Sequence, residues 1–118
     1  MIKTNIIATN ALRIWAPKKL TAKDLRQLRP QIDSLINQHG TIRLLIDGSE
    51  FEGWENIAAI QAHAGFIRSH QQKIERIAVI ARHAWQRWMI GAARMFLHPE
   101  IKVYDQKHEN EALQWIIG

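Results

Sequence analysis

The residues best placed to do chemistry lie in one loop, Asp47-Gly48-Ser49-Glu50-Phe51-Glu52-Gly53-Trp54. It sets a carboxylate two residues from a hydroxyl, between an apolar run and a helical pattern, which is the junction where α/β proteins place their sites. Its acids also suit the N-terminus of the helix that follows, and Phe51 and Trp54 read as plugs for a sheet edge. Nucleophilic chemistry finds no further support. The sequence has no Gly-x-Ser-x-Gly elbow, no phosphate loop and no His-Glu-x-x-His, and Ser34, Ser49 and Ser69 have no base beside them in sequence. The histidines, His39, His63, His70, His83, His98 and His108, include no pair three or four apart, the spacing of a two-histidine metal site. His63 and His70 are seven apart and can share a helix face, and all six read as surface residues. There is no cysteine, which removes disulfides, thiol catalysis and thiolate metal sites and fits a reducing cytoplasm. No catalysis, metal or cofactor is expected.

A second constellation is electrostatic. Asn56 to Pro99 carries six basic residues (Arg68, Lys73, Arg76, Arg82, Arg87, Arg94) and one acid, Glu75, so this stretch holds the whole formal charge of +5 while the other ten Lys/Arg and ten Asp/Glu cancel. A local basic field favours an anionic partner. Within it, Ala84–Leu97 reads as an amphipathic helix. At about 100° per residue, Trp85, Trp88, Met89, Ala92 and Phe96 fall in one sector, with Arg87 and Arg94 opposite. That single apolar stripe is expected to lie on the sheet, so meeting lipid requires the helix to swing out and leave an apolar pocket. Four large side chains give roughly 6–12 kcal/mol for the docked state. A membrane interface returns a similar amount, and anionic lipid adds on the order of 1 kcal/mol per nearby basic residue. Trp54 and Phe66 lie off the main stripe of the preceding helix and are expected to form the facing wall of a cleft. Nucleic acid is disfavoured, because the arginines are spread over two helices and a strand with no basic run or reader motif.

These residues need a frame. At 118 residues, 47% hydrophobic and 23% charged, the chain reads as one soluble globular domain over 1–118. No segment reaches the roughly 20 apolar residues of a membrane span, and Met1 to Trp15 lacks the apolar core of a secretory signal. Ile2–Ala8 and Ala11–Ala16 read as strands paired around Thr9-Asn10, and Pro17-Lys18-Lys19 as a connector. Thr21 with Asp24 resembles a shortened capping box, and Leu25, Leu28, Ile32, Leu35 and Ile36 follow at helical spacing, ended by Gly40. Pro30 sits inside this pattern and predicts a kink or restart near Arg29. Ile42–Asp47 and Ile74–Ile80 read as buried strands, Trp54 to about Gln72 as a helix with Ile57, Ile60, Ala64 and Ile67 on one face, Ile101–Tyr104 as a last strand, and Glu109–Ile117 as a last helix. The order ββαβαβαβα predicts an α/β sandwich on a mostly parallel sheet.

Leu20-Thr21-Ala22-Lys23-Asp24, Pro30, the Ile42–Asp47 strand, Phe51-Glu52-Gly53-Trp54, Glu75-Arg76-Ile77-Ala78-Val79-Ile80 with Trp85, and Glu111-Ala112-Leu113-Gln114-Trp115-Ile116 together resemble the SpoIIAA-like proteins of the STAS/SEC14-like (CRAL-TRIO-related) group. The resemblance spans nearly the whole chain. It implies a single STAS-type domain with a mixed, mostly parallel sheet flanked by about four helices, and a non-enzymatic role. On function it points two ways. SEC14-type relatives hold lipids or other apolar ligands under a movable helix. Anti-sigma-factor antagonists use a serine at the start of the helix after the third strand as a phosphorylation switch; here Asp47 matches their acid and Ser49 is the nearest acceptor. Ser49 is followed by Glu-Phe-Glu rather than a small residue opening a helix, and a phosphate would lie among Asp47, Glu50, Glu52 and Glu55, which repel it.

The function expected is therefore non-catalytic binding of an apolar or amphiphilic, lipid-like ligand, with peripheral association at the inner membrane face of the cytoplasm. Arg87 and Arg94 supply attraction, Trp85, Trp88, Met89 and Phe96 apolar contact, and Trp54 and Phe66 the facing wall. The alternative is an antagonist-type protein-interaction module acting through the Asp47–Trp54 loop, with Ser49 as switch. A second copy is a candidate partner, through Glu50, Glu52 and Glu55 against the basic stretch.

Overall fold

The computed structural model describes residues 2–118. The chain opens with an antiparallel hairpin, β1 (Lys3–Ala8) and β2 (Ala11–Trp15), turned at Thr9-Asn10 and bulged between Ile6 and Ala8. Then follow β3 (Lys19–Leu20), α1 (Ala22–His39), β4 (Ile42–Asp47), β5 (Gly53–Trp54), α2 (Ile57–His70), β6 (Ile74–Ile80), α3 (Ala84–Ala93), β7 (Glu100–Tyr104) and α4 (Glu109–Ile117). The main sheet runs β1-β2-β4-β6-β7 and is parallel from β2 onward; β3 and β5 form a small separate parallel pair.

Helices cover both faces of the sheet, which is why β4 and β6 read as nearly continuous apolar runs rather than alternating ones. On one face Leu12, Ile14, Ile42 and Leu44 meet Leu25, Leu28, Ile32 and Leu35 of α1 and Phe66 of α2. On the other, Ala11, Leu45, Ala78 and Ile80 meet Ala112 and Ile116 of α4. The alanines let α4 sit close to the strands. Leu12, Ile32, Ile42, Leu45, Ile80 and Ile116 are the largest fully buried side chains, each stabilising by about 1.5–3 kcal/mol.

Local signals explain the termini. Thr21 and Asp24 form a reciprocal capping box, at 3.0 and 3.1 Å. Arg43 and Arg76 donate to the carbonyls of Ile116 and Trp115 at the end of α4, at 3.1 and 3.0 Å, satisfying acceptors that the helix leaves open. Arg76 also lies with Lys102 over the Trp115 ring, so this member of the basic stretch has a structural task.

Three expectations are corrected. Pro30 does not interrupt α1: it and Arg26 both face solvent, so water can satisfy the carbonyl that loses its partner, while the buried stripe on either side holds the helix together. Trp54 is not helical but pairs in β5 with Leu20. Gly53 at φ 139° turns the chain there, and α2 starts only after Asn56, whose side chain accepts from the Ala59 N–H at 2.9 Å. Finally, α3 ends at Ala93 rather than Leu97.

Candidate functional site

Between α1, α2, α3 and the sheet face lies a cavity of about 460 Å³. Its floor is Ile14, Leu44, Ile46, Ile77 and Val79 of the strands. Its walls are Leu25, Leu28 and Ile32 of α1 and Ile60, His63, Ala64 and Ile67 of α2. The α2 stripe expected to be buried is partly open to solvent, with Ile60 and Ala64 exposed and Ile57 outside the cavity altogether, because Ala59, Phe66 and His70 are the α2 residues turned to the core. Gln86, Met89, Ile90 and Ala93 of α3 form the roof. No lining side chain is charged.

The orientation of α3 departs from the sequence expectation. Trp88 is 75% exposed and Phe96 82%, and Met95 and Trp85 are also exposed; only Met89 of the expected sector faces the cavity. The helix is rolled by roughly a quarter turn. The cause is Gln86, the single buried residue of α3. Its Nε2 donates to the carbonyls of Gly48 and Phe51 at 2.8 and 3.1 Å, and its Oε1 accepts from the N–H groups of Arg82 and His83 at 2.8 and 3.0 Å. All four bonding positions of the amide are filled. Anchoring residue 86 inward brings residues 89, 90 and 93 with it and leaves Trp85, Trp88 and Ala92 outside. Rolling the helix back by a quarter turn would carry Gln86 out of this position and leave the Gly48 and Phe51 carbonyls and the Arg82 and His83 N–H groups without it. Thus α3 lays an inner apolar surface over the cavity, while Trp88 on its outer side and Met95 and Phe96 in the turn that follows form an exposed outer patch. An outward swing is not needed to expose the outer one.

Arg87 and Arg94 do come together, but not at the cavity mouth. They line a separate cleft of about 390 Å³ with Tyr104, Asp105, His108 and Glu111. The His108 hydrogen bond, followed by the charges of His108, Lys107 and Arg87, holds Asp105 below the usual carboxylate range. Burial, then the charges of Glu111 and Glu100, pushes the Tyr104 phenol up. The acids in this cleft offset the arginines, so the basic stretch does not form one positive face.

Trp54 and Phe66 both line the cavity. Trp54 meets Phe51 edge-on, with centroids 5.2 Å apart, and Phe51 lies 5.9 Å from Trp85, so the Asp47–Trp54 loop, α2 and α3 share an aromatic rim. Two histidines are not the surface residues expected. His70 is buried, stacked on Phe66 and bonded through Nε2 to Asp33 at 2.7 Å, tying α2 to α1. His63 lines the cavity and accepts at Nδ1 from Trp54 Nε1–H at 3.1 Å. Burial lowers its pKa from the ordinary 6.5. Its position among Ile60, Ala64 and Ile67 was the available signal, since a histidine three residues after Ile60 and four before Ile67 shares their face.

At the end of β4, Asp47 Oδ1 accepts from both the N–H and the hydroxyl of Ser49, at 3.0 and 2.6 Å. Its Oδ2 lies 3.4 Å from Arg13, which also bonds Glu109 and stacks over Trp15. Asp47 and Ser49 are therefore brought together, in a turn rather than at a helix start: α2 is capped seven residues later, by Asn56.

A mostly parallel sheet flanked by four helices, with an apolar cavity between one face and its helices, is the STAS-type architecture. The sequence profile of the SpoIIAA-like family matches residues 11–117, and the chain belongs to that family. A DUF3478-family protein with a SpoIIAA-like fold from Shewanella loihica PV-4 is 27% identical, with a TM-score of 0.82 over 98% of this chain and 92% of that one. The unphosphorylated anti-sigma factor antagonist SpoIIAA gives 0.66 at 10% identity, over 97% of this chain and 98% of that one. The phosphorylated Bacillus cell fate determinant SpoIIAA gives 0.62 at 10% identity, over 96% and 99%. The last two share the fold. No curated protein sequence matches the chain.

Proposed function

We propose that this chain is a non-catalytic binding module whose cavity holds an apolar or amphiphilic molecule. The cavity itself carries the reading. Apart from four polar side chains its lining is wholly apolar, which suits an apolar guest better than water. Its volume falls within the range of about 300–1,000 Å³ typical of ligand pockets. The four hydrogen bonds of Gln86 hold α3 in place as the roof.

The outer patch of Trp88, Met95 and Phe96 extends the same reading to peripheral contact with a membrane. Among the described residues no helix is long and apolar enough to cross one. Uptake of the neutral dye Nile red tests the cavity. The wild type is expected to bind about one dye per chain and Ala93→Trp, which fills the roof, to bind none; a wild type that takes up no dye overturns the reading. Flotation with anionic vesicles tests the patch: binding is expected to survive high salt and to disappear in Trp88→Ser/Phe96→Ser.

The second reading is a protein-interaction module of the antagonist type, favoured by the fold shared with the anti-sigma factor antagonist. The Asp47–Trp54 loop would be its contact surface and Ser49 its switch. Both readings use one end of the molecule, because Gln86 joins that loop to the cavity roof.

A further inference from the structure

Four polar side chains line the cavity: Trp54, His63, Gln71 and Gln86. What each has left to offer follows from its bonds. The amide of Gln86 is saturated. The Gln71 carbonyl accepts from the His98 N–H at 2.9 Å, leaving its NH₂ group and one lone pair of its oxygen. The indole of Trp54 is a donor only and is used on His63 Nδ1. That bond fixes the tautomer: with Nδ1 accepting, the neutral ring carries its proton on Nε2, and among the described residues Nε2 has no partner. At the His63 end, among the described residues, the polar position left open is therefore a donor; the spare acceptor capacity of Gln71 lies at the other end of the helix.

We propose that His63 is the polar recognition group of this cavity, and that the ligand is an amphiphile whose polar end accepts hydrogen bonds without donating them, a carboxylate or carbonyl on an apolar chain. This rests on the cavity reading above and names its ligand class. His63 is favoured over Gln71 by position. It stands beside the Asp47–Trp54 loop at the carboxyl ends of the strands, where ligands of α/β sheets bind, and its ring is held by Trp54, itself packed edge-on against Phe51. Gln71 lies about 12 Å further along the helix direction, so one polar end cannot reach both. Burial lowers the His63 pKa, which favours the neutral ring with its Nε2–H as donor. An ammonium group would meet that N–H donor and no acceptor at this end.

Displacement of bound Nile red by dodecanoate, methyl dodecanoate, dodecanol and dodecylammonium, all below their micellar concentrations, tests this. Dodecanoate and its methyl ester are expected to displace the dye at concentrations at least about tenfold lower than dodecylammonium, the size of one hydrogen bond to a charged or strong acceptor. His63→Phe is expected to keep dye uptake, which also shows that it folds, and to lose the preference. His63→Gln, which restores an N–H donor, is expected to recover part of it. Uptake with equal displacement by all four heads, or an unchanged preference in His63→Phe, overturns the inference and leaves the cavity reading standing. Loss of the preference in Gln71→Leu instead moves the recognition group away from His63. A wild type that binds no dye removes both.

Discussion

Gln86→Met tests whether one amide sets the roll of α3. Methionine matches glutamine in length and volume, so the substitution removes hydrogen bonds without opening a void. Four groups lose a partner: the carbonyls of Gly48 and Phe51 and the N–H groups of Arg82 and His83. Their fates differ. The Gly48 carbonyl still accepts from the Phe51 N–H at 3.1 Å, and the Arg82 backbone is near solvent and can be hydrated. The His83 N–H loses a cap, worth about 1 kcal/mol. The Phe51 carbonyl loses a neutral bond beside an apolar cavity, at about 1–3 kcal/mol. The expected loss is about 2–4 kcal/mol. For a domain between the 100- and 150-residue scales this lowers Tm by roughly 8–16 °C. Because α3 packs sparsely elsewhere, hydrogen exchange is expected to speed up across 82–97 and 48–54 while the β4 and β6 amides change little. Gln86→Glu separates the two halves of the amide. It keeps the acceptor toward Arg82 and His83, where a carboxylate also suits the helix start, but sets negative charge against two carbonyls. It is expected to open the loop while holding the first turn of α3. A Gln86→Met protein with Tm within 2 °C of wild type and unchanged exchange over both segments would refute the tether.

Two further outcomes follow from the same geometry. Ser49→Ala removes the 2.6 Å bond to Asp47 and is expected to cost about 1 kcal/mol in chemical denaturation while leaving Nile red uptake unchanged; loss of uptake would tie the turn to the cavity. Burial lowers the folded-state pKa of His63 below its unfolded value near 6.5, so the unfolded chain binds the extra proton first. Its contribution to stability is present above pH 6.5 and lost as pH falls through the folded value. The Tm difference between pH 7.5 and pH 5.5 is therefore expected to be smaller in His63→Gln than in wild type, and an equal difference would refute a neutral, buried His63.

Spacing along the chain determined the five strands of the main sheet, the four helices and their order, because burial on a sheet face imposes a period that residues such as Leu25, Leu28, Ile32 and Leu35 display without any partner in view; the two-residue strands β3 and β5 are too short to show one. Thr21 with Asp24 and the Thr9-Asn10 turn were legible for the same reason: their bonds close within a few residues. Trp54 and Phe66 do line one cavity, but for reasons the helical reading did not contain: Trp54 reaches it from β5, and Phe66 is buried on the core side of α2. The roll of α3 was not legible. Its apolar residues cover more than half its circumference, so periodicity admits two faces. The choice was made by Gln86 through carbonyls thirty-five and thirty-eight residues earlier. Likewise, net charge was a property of the sequence, but its cancellation in the Arg87–Arg94 cleft came from Asp105 and Glu111, which only β7 and α4 bring there. Local periodicity and capping depend on neighbours in sequence. The facing of a helix, the pairing of a charge and the last free donor in a cavity depend on neighbours in space, and those exist only once the sheet has assembled.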